Sequence, residues 1–438
     1  MKKNMIFMCV SGLLFRIIDF VIRADVAVKL GENGMGMYAL VLGINGIMAV
    51  LATGGFGVAV SNLIPRYIGR EPKKVTEIMN TSLYCVGSLS LFVILMTALF
   101  GNQIATYYLK ESALRFSLYC MAPSLFFVGI SSCIKSYFYA HEKIAIPLLS
   151  EILELFVKYL CVHFLTEYFR KYGIVFMCTS VFIGFTIGEL SSFLLLSIAY
   201  RIQKKCVAEQ TRHLPILKQI VKICLPVLIG SFTVSFCRTQ EDIGILSQLK
   251  LFGCTHLAAM ENLGVFKGML MPILVFPLTL VGSVTPILVP KISRLYHLHE
   301  GKSLKHTILS LYLYTFCISA LFTGIILCFG YQLLEILYHD TNSYLYLRYL
   351  SFLLPFIFLD CSSCIILNGM GKQATIMFIN ISDAILRLAI VYLTIRHLGN
   401  TGFIFLTAFS NLYSCLLSTH CVFHALKEKK MQFLPVRT

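Results

Sequence analysis

Apolar stretches long enough to cross a membrane recur along the whole chain, separated by short polar segments rich in lysine and arginine. A helix of about 20 residues crosses the hydrocarbon core of a bilayer and satisfies its own backbone hydrogen bonds there. The pattern therefore predicts an all-α polytopic membrane protein with about twelve transmembrane helices. The predicted spans are 4–24, 36–60, 78–100, 115–137, 146–166, 174–199, 217–237, 262–288, 305–328, 346–368, 374–394 and 400–425.

Composition agrees with this pattern. The 438 residues are 57% hydrophobic and only 13% charged, with a mean hydropathy of +0.79, whereas a soluble domain carries about 25% charged residues. The net charge of +16 is explained by basic cytoplasmic loops, so no nucleic-acid partner is expected. The sixteen cysteines lie scattered in apolar runs and behave as small hydrophobic residues. We expect neither a disulfide framework nor a cofactor or metal.

The polar connections fall into two alternating sets with unequal positive charge. The set that contains both termini, and residues such as Arg66 and Lys143, outnumbers the other in basic residues by more than two to one. The other set includes Lys29 and Arg170. Because cytoplasmic loops carry the excess of Lys and Arg, we predict that both termini are cytoplasmic. That orientation requires an even number of spans.

The two halves of the chain repeat each other at an interval of about 225–231 residues. SSCIKSYFYAHEK from residue 131 resembles SSCIILNGMGK from residue 362. Eleven and fifteen positions after the lysine that ends each motif come an acid and a base: Glu154 and Lys158, then Asp383 and Arg387. We predict an N-terminal six-helix bundle (1–200), a cytoplasmic linker (201–216) and a C-terminal six-helix bundle (217–438). Parallel repeats of this kind are a transporter architecture, with the substrate site between them.

The segment FRIIDFVIRAD, residues 15–25, places charged groups inside the first predicted span. At 100° per residue, Arg16, Asp19 and Arg23 lie within about 60° of one another on the helix. A charge at the bilayer centre costs about 2.5–3.5 kcal/mol, so such groups face a cavity or a partner. The alternative is a structural ion pair around Asp19, with Arg23 extending to the interface. In either case one positive charge remains on this stripe.

Two further cations extend this pattern. Lys267 lies within the predicted span 262–288, and Arg238 ends the span 217–237. If their helices converge with the first, Arg16, Arg23, Lys267, Arg238 and Asp19 form a net-cationic cleft between the halves. Such a cleft favours an anion, of which phosphate or pyrophosphate is the leading example. These five residues are the predicted substrate site.

Acids and bases also occur at helical spacing in the fifth and eleventh spans. Glu154 with Lys158, and Asp383 with Arg387, are i,i+4 pairs with the acid first, the favourable order for an ion pair. Glu151 lies on the same stripe without an evident partner, so it is the stronger candidate for proton or sodium coupling. Glu154 and Asp383 are further candidates for ion coupling.

Glycines and prolines mark two spans that could bend. Gly54 and Gly55 lie in LATGGFGVAV of the second span, and Pro272 and Pro277 lie in the eighth. Such residues permit kinks in membrane helices when neighbours satisfy the freed carbonyls. Close helix packing against glycine is the alternative role.

Several of these segments, FRIIDFVIRADVAVKLGENGMGMYAL, LATGGFGVAVSNLI and ILNGMGK among them, resemble the stage V sporulation protein B family. These are polysaccharide-type exporters of the multidrug/oligosaccharidyl-lipid/polysaccharide (MOP) superfamily, related to the MATE transporters and to the lipid II flippase MurJ. The resemblance implies translocation of a lipid-linked glycan of the undecaprenyl-pyrophosphate type, such as lipid II, across the bacterial plasma membrane. It implies a role in wall or spore cortex assembly, alongside cell-wall synthesis enzymes. It also carries a substrate-contacting role onto Arg16 and Arg23 and, by looser matching, onto Lys267.

Four functions make different demands on these features. A flippase suits a basic stripe, and a MATE-type cation-coupled multidrug antiporter of the same architecture would favour an acidic cavity. A membrane-embedded enzyme would need a catalytic cluster in a sizeable loop, and the predicted loops lack one, so no enzymatic activity is expected. A scaffold for wall synthesis is the fourth. Because no G-x-x-x-x-G-K-[ST] sequence occurs, the drive would come from an ion gradient, the membrane potential or consumption of the cargo.

Overall fold

The computed structural model describes residues 2–68, 71–203, 213–298 and 301–431, and these are helical throughout, with no strand among them. Short π-helical or 3-10 turns connect or interrupt several of the helices. The α-helices are α1 (Lys2–Thr53), α2 (Phe56–Tyr67), α3 (Pro72–Gln103), α4 (Arg115–Ala140), α5 (Ala145–Phe169), α6 (Ile174–Gln203), α7 (His213–Phe252), α8 (His256–Leu263), α9 (Met271–Val275), α10 (Leu278–His297), α11 (Gly301–Tyr338), α12 (Tyr344–Ser351), α13 (Leu354–Gly369), α14 (Gln373–Ile390), α15 (Arg396–Leu398) and α16 (Asn400–Met431).

Every predicted span falls on helical segments, although the spans 36–60, 262–288 and 346–368 each include a break between helices. The predicted fold class is confirmed. By length and hydropathy, nine helices of the described ranges suffice to cross a membrane, or ten with the bent pair α12–α13. This number is below twelve for two reasons: Gly12–Tyr67 counts once although it covers two predicted spans, and α5 is not among these helices because its span 146–166 carries Glu151, Glu154 and Lys158. Leu91, Leu95 and Leu99 of α3, at i,i+4 spacing, are each more than half exposed, as expected of a face that contacts lipid. The chain is a multi-pass membrane protein, and the cytoplasmic position of its termini stays a prediction.

The long helices are interrupted where glycine or proline made bending possible. Gly31 leaves the helical conformation within α1, with φ 63°. Gly54 and Gly55 separate α1 from α2 with φ of 56° and 74°, a region of backbone conformation that glycine adopts without steric penalty. In the eighth predicted span, a π-helix at Gly264–Leu270 and a break before Pro277 divide the helix into three pieces. Both spans predicted to bend are therefore broken.

The residues Val21–Ile243 form one compact unit. In it α4 packs against α2, α3 and α6, and α6 also packs against α5. The core of the unit consists of buried apolar side chains from five helices. They are Phe56, Ala59, Val60, Leu63, Ile64, Val75, Ile78, Met79, Val86, Cys133, Ile134, Phe138, Leu196, Tyr200, Ile216, Ile220 and Cys224.

The second compact unit combines Met1–Phe20 with Gly244–Thr438. Here α13 packs against α10, α11 and α16, and α16 also packs against α14, so the packing order of the first unit recurs. The two SSCI motifs accordingly lie in α4 and α13, which hold equivalent places in this packing order. The boundaries of the units differ from the predicted division at residues 200 and 217. They fall inside α1 and α7, because the two parts of each of these helices belong to different units. The predicted bundles stay a prediction.

Close packing of α5 against α6 depends on Gly184. A Cβ atom at this position would lie 2.7 Å from Cγ2 and 3.0 Å from the backbone nitrogen of Val162. We therefore expect Gly184→Ala to lower the free energy of unfolding by about 1–3 kcal/mol, the usual cost of overpacking. Gly46→Ala is the matched control, because nothing lies within 4 Å of its added Cβ. Unfolding followed by circular dichroism in detergent measures both, and equal stability of the two variants would contradict the expectation.

Candidate functional site

The two arginines of the first predicted span have exposed side chains. Arg16 and Arg23 are both exposed on α1, and Arg16 has no acidic partner among the described residues. Asp19 and Arg23 each interact with another residue. The neighbours Leu14 and Val21 are also more than half exposed. The predicted uncompensated positive charge is thus present, and Arg16 carries it.

The remaining predicted cations occupy contrasting positions. Arg238 was expected to end its helix, but α7 continues to Phe252. Arg238 is exposed there, whereas the adjacent acids Glu241 and Asp242 are buried, 1% and 9% exposed, and have partners. Lys267 is half-buried within the π-helix Gly264–Leu270 and also has a partner.

Lys267 therefore sits in a local widening of the helix, a feature that is frequent at functional sites. No pattern in the sequence announced the π-helix. Convergence of Lys267 and Arg238 with the arginines of α1 in one cleft stays a prediction.

A cluster of opposite charges joins α4, α5 and α6. The Lys135 Nζ atom lies 3.4 Å from Glu151 Oε1 and 3.8 Å from Glu154 Oε2. Glu189 of α6 is a further acid beside Glu154. Three acids therefore gather around one lysine.

Two expectations about these acids are corrected. Glu151 is not without a partner, because Lys135 from the neighbouring helix pairs with it. The Glu154–Lys158 ion pair does not form: the Lys158 Nζ atom lies over the Phe185 ring, 3.8 Å from its centre. Gly188 lets α6 approach the Lys158 backbone closely, which places the aromatic ring within reach of the ammonium group. Sequence spacing identified neighbours along α5 but not those from α4 and α6.

The equivalent pair in the other unit is linked through a serine. Ser410 of α16 donates a hydrogen bond of 2.6 Å to Asp383 Oδ1 and accepts one of 3.1 Å from Arg387. The predicted association of Asp383 with Arg387 is therefore mediated by the Ser410 hydroxyl, which the sequence gave no signal to expect. On the adjacent helix α13, the Asp360 Oδ1 atom is buried without a hydrogen bond to any described residue.

A third charged cluster was missed by the sequence analysis. The Lys29 Nζ atom lies 3.0 Å from Asp25 Oδ2 and 2.8 Å from His163 Nδ1. It also donates to the His163 carbonyl oxygen at 3.3 Å. Lys29 was assigned to a loop, but it is a residue of α1 with a side chain only 15% exposed. The i,i+4 order of Asp25 and Lys29 was the available signal, and His163 on α5 had none.

These features place the chain among known proteins. The sequence model of the polysaccharide biosynthesis protein family matches residues 1–296. The chain belongs to the polysaccharide biosynthesis protein family. Two relatives of this family member come from Bacillus subtilis (strain 168). Stage V sporulation protein B is 26% identical over 299 residues, which are 66% of this chain and 58% of that protein. Sporulation protein YkvU is 21% identical over 425 residues, 93% of each chain.

The chain thus matches less than two thirds of stage V sporulation protein B but nearly all of YkvU. The resemblance drawn from the sequence motifs is confirmed. A multi-pass polysaccharide biosynthesis protein with bacterial relatives of this kind is located in the bacterial plasma membrane.

Solved structures share the fold of this polysaccharide biosynthesis protein at low sequence identity. An inward-facing multidrug resistance MATE family transporter of the MOP superfamily has a TM-score of 0.69 and 14% identity, covering 97% of this chain and 99% of that one. A MOP superfamily transporter from Pyrococcus furiosus Vc1 (DSM3638) has a TM-score of 0.68 and 15% identity, covering 98% and 96%. The MATE-like fold that the family resemblance implied is confirmed.

Proposed function

We propose that this polysaccharide biosynthesis protein is a flippase for a lipid-linked glycan of the undecaprenyl-pyrophosphate type, of which peptidoglycan lipid II is the leading example. The exposed guanidinium of Arg16 carries the proposal. It lies in a largely apolar segment of α1, where a cation is costly unless it serves a ligand or pathway. Guanidinium groups form bidentate hydrogen bonds with phosphate oxygens. Arg23, Arg238 and Lys267 would add positive charge around the same anion, with Asp19 orienting the arginines.

The cargo of such a flippase has two parts with opposite solubility. Its sugar and pyrophosphate head crosses hydrocarbon poorly, and its polyprenyl tail is itself hydrocarbon. A groove of about 550 Å³ in the unit Val21–Ile243 offers a surface for such a tail. Its walls come from α1, α3 and α7 and are almost entirely apolar, including Ile44, Met48, Phe92, Phe100, Phe232 and Phe236.

Ion coupling remains part of the proposal. Among Glu151, Glu154 and Asp383, Glu154 is the strongest candidate, because it neighbours both the Lys135 ammonium group and a second acid, Glu189. Glu151 is held by Lys135, and Asp383 is held by Ser410. We propose proton exchange at Glu154 with Glu189 as the coupling step.

A cation-coupled multidrug antiporter is the second candidate. The three acids around Lys135 favour it, since they outnumber the two nearby ammonium groups, those of Lys135 and Lys158. One MOP superfamily neighbour is itself described as having a binding pocket of reverse polarity that suggests a different function. Polarity of the pocket therefore separates the two candidates.

Reconstitution separates them directly. The purified chain is placed in vesicles that contain labelled lipid II, and the label that reaches the opposite leaflet is measured against protein-free vesicles. A parallel sample measures accumulation of ethidium under an imposed proton or sodium gradient. We expect translocation of lipid II and no ethidium transport. Ethidium transport without lipid II translocation would replace the flippase by the antiporter.

A further inference from the structure

A groove between α10 and α11 is distinct from the predicted substrate residues. It encloses about 250 Å³ within the unit that contains Gly244–Thr438. Its lining residues repeat at helical spacing on one face of each helix. They are Val281, Val284, Leu288 and Lys291 of α10, and His306, Thr307, Ser310, Leu311 and Tyr314 of α11.

The groove is apolar at one end and polar at the other. Only residues 298–300 connect α10 to α11, so the two helices are antiparallel neighbours. Lys291 and His306 therefore lie at the end nearest the connection, and Val281 and Tyr314 lie farther along. From Val281 to Lys291 the groove extends about 15 Å, at 1.5 Å per residue. That length is about half the 30 Å hydrocarbon thickness, which is the depth of one leaflet.

Positive charge dominates the polar end. Between Glu261 and Glu335 the sequence contains a single acidic residue, Glu300. Over the same stretch Arg294, Lys302 and Lys305 accompany the two basic lining residues at the end of α10 and the start of α11. Lys291, His306 and Ser310 are all exposed, so their N–H and O–H donors are accessible to a ligand. Several donors under a positive potential favour a phosphate group.

We propose that this groove binds one anionic phospholipid of the surrounding bilayer, with a phosphodiester headgroup at Lys291, His306 and Ser310. One acyl chain lies against Val281, Val284 and Leu288. Charge complementarity selects the headgroup, and the apolar length of a single leaflet fits the chain. The volume is too small for a complete two-chain lipid, so the second chain stays in the bilayer. The site is independent of the transported cargo.

Native mass spectrometry of the full-length chain in detergent tests the proposal. The protein is titrated with dioleoyl phosphatidylglycerol and, separately, with dioleoyl phosphatidylcholine. We expect retention of one phosphatidylglycerol per chain at concentrations where phosphatidylcholine is not retained. The double variant Lys291→Gln/His306→Gln should weaken retention of phosphatidylglycerol by about tenfold or more. Equal retention of the two lipids, or undiminished retention by the double variant, would overturn the site.

Two further variants separate a built groove from general positive charge. Lys302→Gln is the matched control, because Lys302 is an exposed cation near the groove that does not line it; it should retain the lipid as the unaltered chain does. Leu288→Trp fills the apolar wall while keeping every charge, and it should also weaken binding. If the double variant fails to fold, this variant decides the question. Displacement of phosphatidylglycerol by an equal concentration of undecaprenyl phosphate would assign the groove to a polyprenyl lipid and overturn the proposal.

Discussion

Replacement of Arg16 by alanine is expected to reduce translocation of the lipid-linked glycan strongly while the protein still inserts and folds. Hydrogen bonds to a charged group contribute about 1.5–3 kcal/mol, which corresponds to a loss of about 10- to 100-fold. Insertion should not suffer, because removing an exposed guanidinium from an apolar helix lowers the cost of burial in lipid by about 2.5–3.5 kcal/mol. Flipping of labelled lipid II in reconstituted vesicles measures the effect.

The controls for Arg16 distinguish a ligand contact from a general loss of charge. Arg16→Lys keeps the charge but loses the planar donor pair, so it should retain partial activity. Lys171→Ala removes an exposed cation that stacks on Tyr168 and Tyr172 outside the proposed site, and activity should be unchanged. A stably inserted Arg16→Ala variant with normal flipping would remove this residue from the mechanism.

Replacement of Lys135 by methionine is expected to produce the largest loss of stability. Lys135, Glu151 and Glu154 have side chains that are 22%, 32% and 16% exposed. Without the ammonium group, Glu151, Glu154 and Glu189 would share a partly buried site with no compensating charge from α4. Removing one partner of a buried ion pair costs about 3–5 kcal/mol, and the partial exposure places this case near 3 kcal/mol. Because the chain has no tryptophan, unfolding is followed by circular dichroism.

Two comparisons identify the cause of that loss. Lys74→Met is the matched control: Lys74 pairs with Glu71 at 2.8 Å, but the side chains are 43% and 50% exposed. Such surface pairs contribute at most about 1 kcal/mol. Adding Glu151→Gln to Lys135→Met should restore part of the stability, since one of the crowded charges is removed. A Lys135→Met protein as stable as the Lys74→Met protein would show that the cluster is solvated.

The sequence was most informative where a property depends on the residues of one helix. The apolar helical spans, the arginines of the first helix and the breaks at Gly54–Gly55 and Pro277 all follow from composition and local backbone chemistry. The internal repeat was informative for the same reason, and the recurring packing of α4 and α13 agrees with it. Family membership also followed from short motifs, since it depends on sequence alone.

Side-chain partners depended on neighbouring helices and could not be read from spacing. The Lys158 ammonium group contacts the Phe185 ring of α6 and does not pair with Glu154 one turn away. Lys135 of α4 pairs with Glu151 of α5. His163 on α5 likewise completed the Asp25–Lys29 pair. In a membrane interior a charged side chain pairs with its nearest neighbour in three dimensions, because no water molecule hydrates the charge in its place.

The amino-acid sequence by itself determined that this protein is a multi-pass helical membrane protein of the polysaccharide biosynthesis protein family with arginines in its first helix. These properties follow from hydropathy, helical period and motifs along a single chain. Only the tertiary structure decided which charges neutralise one another, where the π-helix holds Lys267, and that α10 and α11 form an amphipathic groove. Each of those depends on the distance between residues far apart in the chain, and that distance is set by helix packing.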